Sequence, residues 1–418
     1  MLRRSVLDTP ERSARGSSER EGAREASGRK RANAAPRSLT LDYDLLTMPH
    51  GLMRTHLFDF HPYTAAVLSS PSAIRDLEPL VAQLMRERDI TVEPRFFLAA
   101  VSSAWAPRAV VVKRDARIAG VVYAKERRWA GMATGLVCLD GRLGNMVVAD
   151  PADREEVLRV AIQALFARRR VVELRLLIPP SGLEERAVEK TRASMNLDFG
   201  CSVPDPHTRL SLPADYEKFL EILGYKTRRN FRYYRRKFEE GGHTYLAEVS
   251  APDRQRAVAA LRSKCRIPSR RSEIRRALNV VAAADRPWAV GLKHRNGEWL
   301  SVAAGWYSGD CATMFFQLNN DREYAEASLS VVLRARLIET LIGRGVRELV
   351  FWSGSAPPLS RYATEIPAVA LHLDSRTPAW RLARFAIRIA GRHFSNWMDT
   401  DLRDAGSPAI ANPRGHAV

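Results

Sequence analysis

The sequence predicts an α/β (α+β) chain built from two repeats of one unit, each a mainly antiparallel sheet flanked by helices. Three observations carry that expectation. Short β-branched runs are punctuated by turn residues, as sheet hairpins require. Apolar residues recur at helical spacing between those runs. The order hairpin, strand, long helix, strand occurs twice along the 418 residues. A chain of this length can bury cores for two or three domains.

Residues 1–38 hold Arg, Ser, Glu, Ala and Gly with almost no large apolar side chains, so they are expected to form a disordered basic tail. A first repeat is expected over 39–213. A weak strand signal at 63–68 is followed by helical spacing over 71–88, where Ile74, Leu77, Leu80, Val81, Leu84 and Met85 share a side behind a Ser72 cap. Residues 108–113 (RAVVVK) and 117–125 (RIAGVVYAK) flank Arg114, Asp115 and Ala116 and predict a hairpin. A third strand is placed at 144–148 and a helix over 151–168, with Val157, Val160, Ala161, Ala164 and Leu165 inward. The run VVELRLLI at 171–178 returns as a buried strand.

A connector is expected over 214–242, entered through a short helix at 215–223. Its main feature is KTRRNFRYYRRKFEEGG, which starts at Lys226. At about 100° per residue, Arg228, Arg229, Arg232, Arg235 and Arg236 gather on one face, with Phe231, Tyr234 and Phe238 on an adjacent one. Gly241 and Gly242 supply the stop. The basic face reads equally as a solvated surface or as a contact for an anionic partner.

The second repeat is expected over 243–392 and the remaining 393–418 as a flexible tail. Its elements are a strand at 243–250, helices at 252–265 and 271–283, and a hairpin of 288–293 with 298–307 around Asn296-Gly297. Asn-Gly between apolar runs is a strong hairpin signal because both residues tolerate positive φ. A strand at 311–318 (CATMFFQL), a helix at 329–341 and a strand at 348–351 complete the unit. A basic amphipathic helix at 378–392 either covers a sheet face or lies on an anionic membrane.

Composition narrows the function. A formal charge of +19 implies an anionic partner, with RNA, DNA, an acidic membrane and a phosphorylated cofactor all compatible. Cys138, Cys201, Cys265 and Cys311 are far apart, so neither zinc nor a redox dithiol is signalled and a reduced cytoplasmic protein is expected. No apolar run reaches the roughly 18 residues of a membrane span. The sequence has no HExxH, GxSxG, GxGxxG or Walker pattern, and no metal site is expected.

The strand order, with the third strand of each unit feeding a helix N-terminus, resembles that of the GNAT acetyltransferases. The specific similarity is to tandem-GNAT proteins of the cellulose-biosynthesis-associated and Fem-like kind, in which a basic K-x-R-R-N-x-R-R helix joins two repeats. Lys226, Arg228, Arg229, Asn230, Arg232 and Arg235 match that helix, and LGNMVVADP at 143–151 and FFQLNNDREYAEASLSVVLRARLIETLIGRGVRELVF at 315–351 add to it. The resemblance spans roughly residues 60–390. It breaks twice: Ser328, Leu329 and Ser330 stand where it implies Ser-Pro-Gly, and Gly354 is followed by Ser355, Ala356, Pro357, Pro358 and Leu359 where it implies Gly-x-x-x-Tyr-Lys.

The resemblance implies an N-acyltransferase that takes acetyl-CoA or another acyl-CoA as cofactor and an amine as acceptor. Such transfer needs held reactants, a backbone donor for the carbonyl oxygen and a route for one proton. By position the cofactor residues are Phe316, Gln317 and Leu318 on a splayed strand and Ser328, Leu329 and Ser330 at the next helix start, where free N–H groups and the dipole favour a pyrophosphate. Tyr324, Asp321 and Glu323, in the loop between them, are the candidates for proton transfer. Arg228, Arg232, Arg235, Tyr307 and Arg361 are the candidates for substrate contact. Two alternatives stay open. The donor is aminoacyl-tRNA, bound by the arginine helix, or the chain is a non-catalytic binder of nucleic acid or an anionic membrane surface.

Overall fold

The β-branched runs expected as a hairpin do pair, as the centre of the first of two sheets. The computed structural model describes residues 56–375 apart from 86–88, 116, 130, 141–145, 169–170, 180–181, 203, 205–206, 266–270, 353 and 355–358. The tails expected at 1–38 and 393–418 and the basic helix expected at 378–392 lie outside the described residues.

The chain begins with β1 (His56–Phe60) and β2 (Tyr63–Leu68), then the short helices α1 (Pro71–Arg75), α2 (Glu78–Leu84) and α3 (Pro94–Ala100). One helix is expected across 71–88, but Pro79 divides it. Its ring would strike the carbonyl four residues earlier, at Arg75, where α1 ends. The N-cap position is Ser70 rather than Ser72 because Pro71 takes the first helical position.

Strands β3 (Trp105–Arg114) and β4 (Arg117–Trp129) form the predicted hairpin, closed by Arg114↔Arg117, with Asp115 at φ 55°. The third long strand is β5 (Met132–Asp140), which the sequence reading passed over; β6 (Val147–Ala149) covers the expected 144–148 only as a three-residue side pairing with β4. Helix α4 (Arg154–Ala167) buries Val157, Val160, Ala161, Ala164 and Leu165 as expected, and β7 (Glu173–Ile178) returns parallel to β5. Helix α5 (Leu183–Met195), β8 (Asp198–Ser202) and β9 (His207–Ser211) follow.

Helix α6 (Tyr216–Ile222) is capped by Asp215, whose side chain accepts from Glu217 and Lys218 N–H groups. The arginine helix is α7 (Tyr225–Glu240), stopped at Gly241 with Gly242 at φ 70°. The second sheet starts with β10 (Thr244–Leu246), shorter than expected because Ser250 already caps α8 (Ala251–Leu261). Helix α9 (Arg271–Ala283), β11 (Pro287–Lys293), β12 (Trp299–Ser308), β13 (Cys311–Asn319), α10 (Leu329–Gly343) and β14 (Glu348–Phe351) match the expected order. Two further strands complete the described residues, β15 (Thr364–Ile366) and β16 (Val369–Asp374).

The sheets are mainly antiparallel and correspond from β2 and β10 onward, with β1 and the side strand β6 present in the first alone among the described strands. The first runs β1-β2-β3-β4-β5-β7-β16-β8 and the second β10-β11-β12-β13-β14-β9-β15. Among the described strands each contains one parallel pair, β5 with β7 and β13 with β14, joined by a crossover helix. They exchange strands: β9, which precedes α6, lies between β14 and β15, and β16, the last described strand, lies between β7 and β8. This reciprocal exchange, together with the packing of Phe96 from α3 edge-on against Trp306 at 5.1 Å, ties the two sheets into one body. No described helix is long and apolar enough to cross a membrane.

Candidate active site

The two parallel pairs differ where chemistry becomes available. In the first sheet β5 pairs with β7 from Leu136↔Glu173 to Asp140↔Leu177, the whole way to its end. In the second, pairing stops at Met314↔Phe351, where Trp352 N donates to the Met314 carbonyl at 3.1 Å. Residues Phe316–Asn319 continue, bonded to β12 alone among the described strands. Backbone groups alternate sides along a strand, so this stretch turns part of its N–H and C=O groups to an edge that β14 has left.

A bulge starts the divergence. Ala304 pairs with Phe316 but Gly305 pairs with Met314, leaving Phe315 as the extra residue. Gly305 is required there, since a Cβ would lie 1.7 Å from the Thr313 carbonyl oxygen. At the far end the edge is closed by the buried thiol of Cys265, which lies against the Asn319 backbone and is pushed up by its burial.

The start of α10 borders the same opening. Ser328 has φ 47° and ψ 45° and caps nothing with its side chain, while its carbonyl accepts from Val331 N at 2.8 Å and Val332 N at 3.2 Å. The N–H groups of Leu329 and Ser330 are thus left without acceptors inside the helix, as first-turn groups are. Leu329 is buried, its side chain packed into the core on the α10 side of the sheet. Ser328 takes the left-handed conformation without the glycine that the resemblance implies nearby.

Under this opening lies a polar network. Arg334 of α10, buried, donates from Nε to Gln317 Oε1 at 3.1 Å and lies over the Phe351 ring at 5.7 Å. Burial pushes its guanidinium down to about 10. Gln317 Nε2 donates to Asn319 Oδ1 at 2.9 Å, and Ser301 Oγ donates to the same oxygen at 2.5 Å. Gln317 thus points toward α10, whereas Phe316 and Leu318 pack into the core on the α8 and α9 side. Sequence reasoning missed Arg334, Asn319 and Ser301; a charged residue four before Ile338 and three before Leu337, on the apolar side of the run VVLRARLIETL, was the available signal.

The loop from β13 to α10 is tied down. Tyr324 N donates to the Asn320 carbonyl at 3.2 Å, and Arg322 N to the Lys264 carbonyl at 3.1 Å. Glu323 accepts from Asn320 Nδ2 at 2.7 Å and from Lys264 Nζ at 3.0 Å, contacts that hold its carboxyl below the usual carboxylate range. Asp321 has an interaction partner of its own. Tyr324 is half-buried with its ring 5.8 Å from His294, which packs 4.6 Å from His243. Burial, then His294 and Arg295, lower the pKa of His243. Both histidines were absent from the sequence-based candidates because 243 and 294 meet only through the pairing of β10 with β11.

The predicted substrate residues do not form one group. Arg235 is part-buried between Glu239 at 3.1 Å and Glu339 at 3.0 Å and lies 5.9 Å from the Tyr216 ring centroid. Arg232 pairs with Glu217 at 2.6 Å. Arg228 makes no side-chain bond among the described residues. Tyr307 lies opposite Ala312, at the other end of the β12–β13 pair from Gln317, and accepts from Arg344 at 2.9 Å. Arg361 is exposed beside Tyr362, whose hydroxyl accepts from Gly224 N at 2.7 Å at the start of α7. That start carries a recess lined by Tyr225, Lys226, Arg229, Asn230, Tyr233 and Tyr234. Lys226 and Arg229 form no ion pair there among the described residues, and Tyr225 and Tyr233 are exposed.

Among the described residues no three or more His, Cys, Asp or Glu gather as metal ligands.

Comparison with known proteins gives a domain match and a shared fold. Residues 225–362 match the family model described as acetyltransferase (GNAT) domain, a span that holds α7, the split β13–β14 pair and α10. No curated protein matches the sequence. Among solved structures, the crystal structure of FemX superposes with a TM-score of 0.52 at 10% identity, covering 74% of this chain and 98% of that one. A tandem GNAT protein from the clavulanic acid biosynthesis pathway gives 0.44 at 13% identity, covering 76% and 99%. The L-PGS structure from Bacillus licheniformis gives 0.45 at 10% identity, covering 78% and 98%. The FemX overlay speaks for a shared fold; the looser two carry no weight beyond it.

Proposed function

With residues 225–362 forming a GNAT acetyltransferase domain inside a Fem-like fold, we propose that this chain is an acyl-CoA-dependent N-acyltransferase whose cofactor lies in the split of the second sheet. The observation that carries the reading is the parting of β13 from β14 at Met314↔Phe351, which has no counterpart among the described residues of the first sheet. An acyl-CoA held there would supply an activated acyl group as a thioester. The open edge of Phe316, Gln317 and Leu318 offers backbone donors and acceptors to an amide-bearing arm. The N–H groups of Leu329 and Ser330, with the Ser330 hydroxyl, offer a positive helix end to a phosphate. Gln317, fixed by Arg334 and Asn319, holds the strand face toward α10 in one orientation.

For the proton, Tyr324 is the loop residue we retain. Glu323 is held as a carboxylate by Asn320 and Lys264, which makes it a weak base, and Asp321 is already engaged. Tyr324 can donate through its hydroxyl, and His294 beside it provides a group to exchange that proton with solvent. The test is calorimetric titration of the full chain with acetyl-CoA and longer acyl-CoAs. Saturable binding with loss of affinity in Gln317→Ala is expected; no binding by any of them would defeat the cofactor assignment.

A second reading keeps the fold and changes the donor to aminoacyl-tRNA. It rests on the α7 recess, where two exposed tyrosines flank Lys226 and Arg229, which form no ion pair among the described residues, an arrangement suited to stacking and phosphate contact. Copurified tRNA whose binding falls steeply with salt, and is lost in Arg229→Gln, would favour it.

A further inference from the structure

The vertex of the split is walled by aromatic rings. Beyond the last pair, Met314↔Phe351, Trp352 N donates to the Met314 carbonyl at 3.1 Å, so Trp352 and the bulge residue Phe315 are the first residues of the two parting strands. Side chains alternate along an extended chain, which turns Phe351 to the α10 side and Trp352 to the α8 and α9 side. The bulge turns Phe315 to that same side. These two rings meet edge-on, 5.5 Å between centroids and 65° between planes. Trp306 of β12 backs both, 5.5 Å from Phe315 and 5.7 Å from Trp352. Phe96 of α3 lies 5.1 Å from Trp306, and His207 of β9 packs 4.7 Å from Trp352. Rings at these separations are in contact and leave no gap for a methylene chain. Phe96, His207, Trp306 and Phe315 are buried, whereas Trp352 is half-buried and presents part of its ring to accessible space.

That wall stands where the acyl end of the cofactor would arrive. With the phosphates at the start of α10, the amide-bearing arm runs along the open edge from Leu318 to Phe316, against the direction of β13. Its thioester then reaches the vertex. It can go no further in line, because β13 and β14 are paired from Cys311↔Glu348 to Met314↔Phe351. An acyl chain must therefore leave the plane of the sheet. On the α10 side Met314 and Phe351 are fully buried, and the Arg334 guanidinium lies over the Phe351 ring at 5.7 Å. On the α8 and α9 side stand Trp352 and Phe315.

We propose that Trp352, backed by Phe315 and Trp306, sets the length of the acyl group that this chain accepts. The donor class is then a short acyl-CoA, acetyl or propionyl, and long-chain thioesters are excluded. This rests on the acyltransferase reading above, which leaves chain length open, since neither the strand edge nor the helix N-terminus touches the acyl carbons. The wall acts by volume: a longer chain has to displace a ring from close-packed neighbours. Removing the indole leaves an apolar cavity of the kind that stays dry and takes up an apolar guest.

Calorimetric affinities for CoA, acetyl-CoA, butyryl-CoA and octanoyl-CoA are compared for the full chain, Trp352→Ala and Trp352→Leu, with circular dichroism to establish folding. Wild type should bind CoA and acetyl-CoA, and octanoyl-CoA about tenfold or more weakly than acetyl-CoA. In Trp352→Ala the affinity for CoA stays constant while octanoyl-CoA gains about tenfold or more relative to acetyl-CoA, because each methylene taken into the opened cavity is worth about fourfold. Trp352→Leu, which keeps an apolar side chain and loses the ring, should shift the same way by less, and it decides the matter if the alanine variant does not fold. Equal affinity of wild type for acetyl-CoA and octanoyl-CoA, or an unchanged chain-length profile in the folded variants, overturns the wall and leaves the cofactor assignment standing. Loss of CoA itself in the folded variants also overturns it, because Trp352 would then hold the arm and not the acyl end. A wild type that binds neither CoA nor any of the thioesters removes the cofactor assignment and the wall together.

Discussion

Replacing Arg235 with Gln separates the structural from the ligand-binding side of the arginine helix. Arg235 bridges α7 to α10 through Glu239 and Glu339 with its side chain 26% exposed, and its guanidinium lies 5.9 Å from the Tyr216 ring centroid. The two charge-assisted bonds, discounted for partial solvent screening, contribute about 1–2 kcal/mol. The ring contact adds about 0.5–1 kcal/mol. Glu239 and Glu339 keep Arg336 as a partner, so no carboxylate is left uncompensated and the total stays near 2 kcal/mol. At about 2–4 °C per kcal/mol for a domain of this size, the melting temperature should fall by about 4–8 °C. Scanning calorimetry reads this directly, with Arg229→Gln as the control expected to melt like wild type. Equal melting of Arg235→Gln and wild type, or an equal loss in both variants, would refute the division of the helix into a packed and an open side.

The bulge is tested by Gly305→Ala: the new Cβ, 1.7 Å from the Thr313 carbonyl oxygen, must push the strands apart, at about 3 kcal/mol, read by urea denaturation. Unchanged stability would mean that the bulge is not fixed by this glycine. Tyr324→Phe should lower kcat by about 100-fold or more, with the KM for acyl-CoA little changed; full activity would remove Tyr324 from proton transfer. His243 has its folded pKa below the ordinary value through burial, so it favours the neutral form. The associated stability is present above about pH 6.5 and is lost as pH falls through the folded pKa. His243→Gln should therefore flatten the loss of stability between neutral and mildly acid pH, and an unchanged pH profile would contradict this.

Much of the second sheet was legible because its signals are local. Asn296-Gly297, the alternation of 288–307 and the period of 329–341 each fix an element without help from the rest of the chain. The split of β13 from β14 was legible only as a position, since its cause is a register shift at Gly305 that one strand alone cannot reveal. The strand exchange was hidden for a related reason: 369–374 is a short apolar run whose partners, β7 and β8, lie far back in the chain. On α7 the helical wheel grouped the arginines correctly by angle but could not show which of them meet carboxylates of α6 and α10.

Amide hydrogen exchange, followed residue by residue in the presence and absence of acyl-CoA, tests the central claim most directly. The open edge of β13 at Phe316–Leu318 and the first-turn N–H groups of Leu329 and Ser330 should exchange more slowly once acyl-CoA binds, while β5 and β7 of the first sheet stay unchanged. Bound acyl-CoA with no protection at either place, or protection confined to the first sheet, would contradict it.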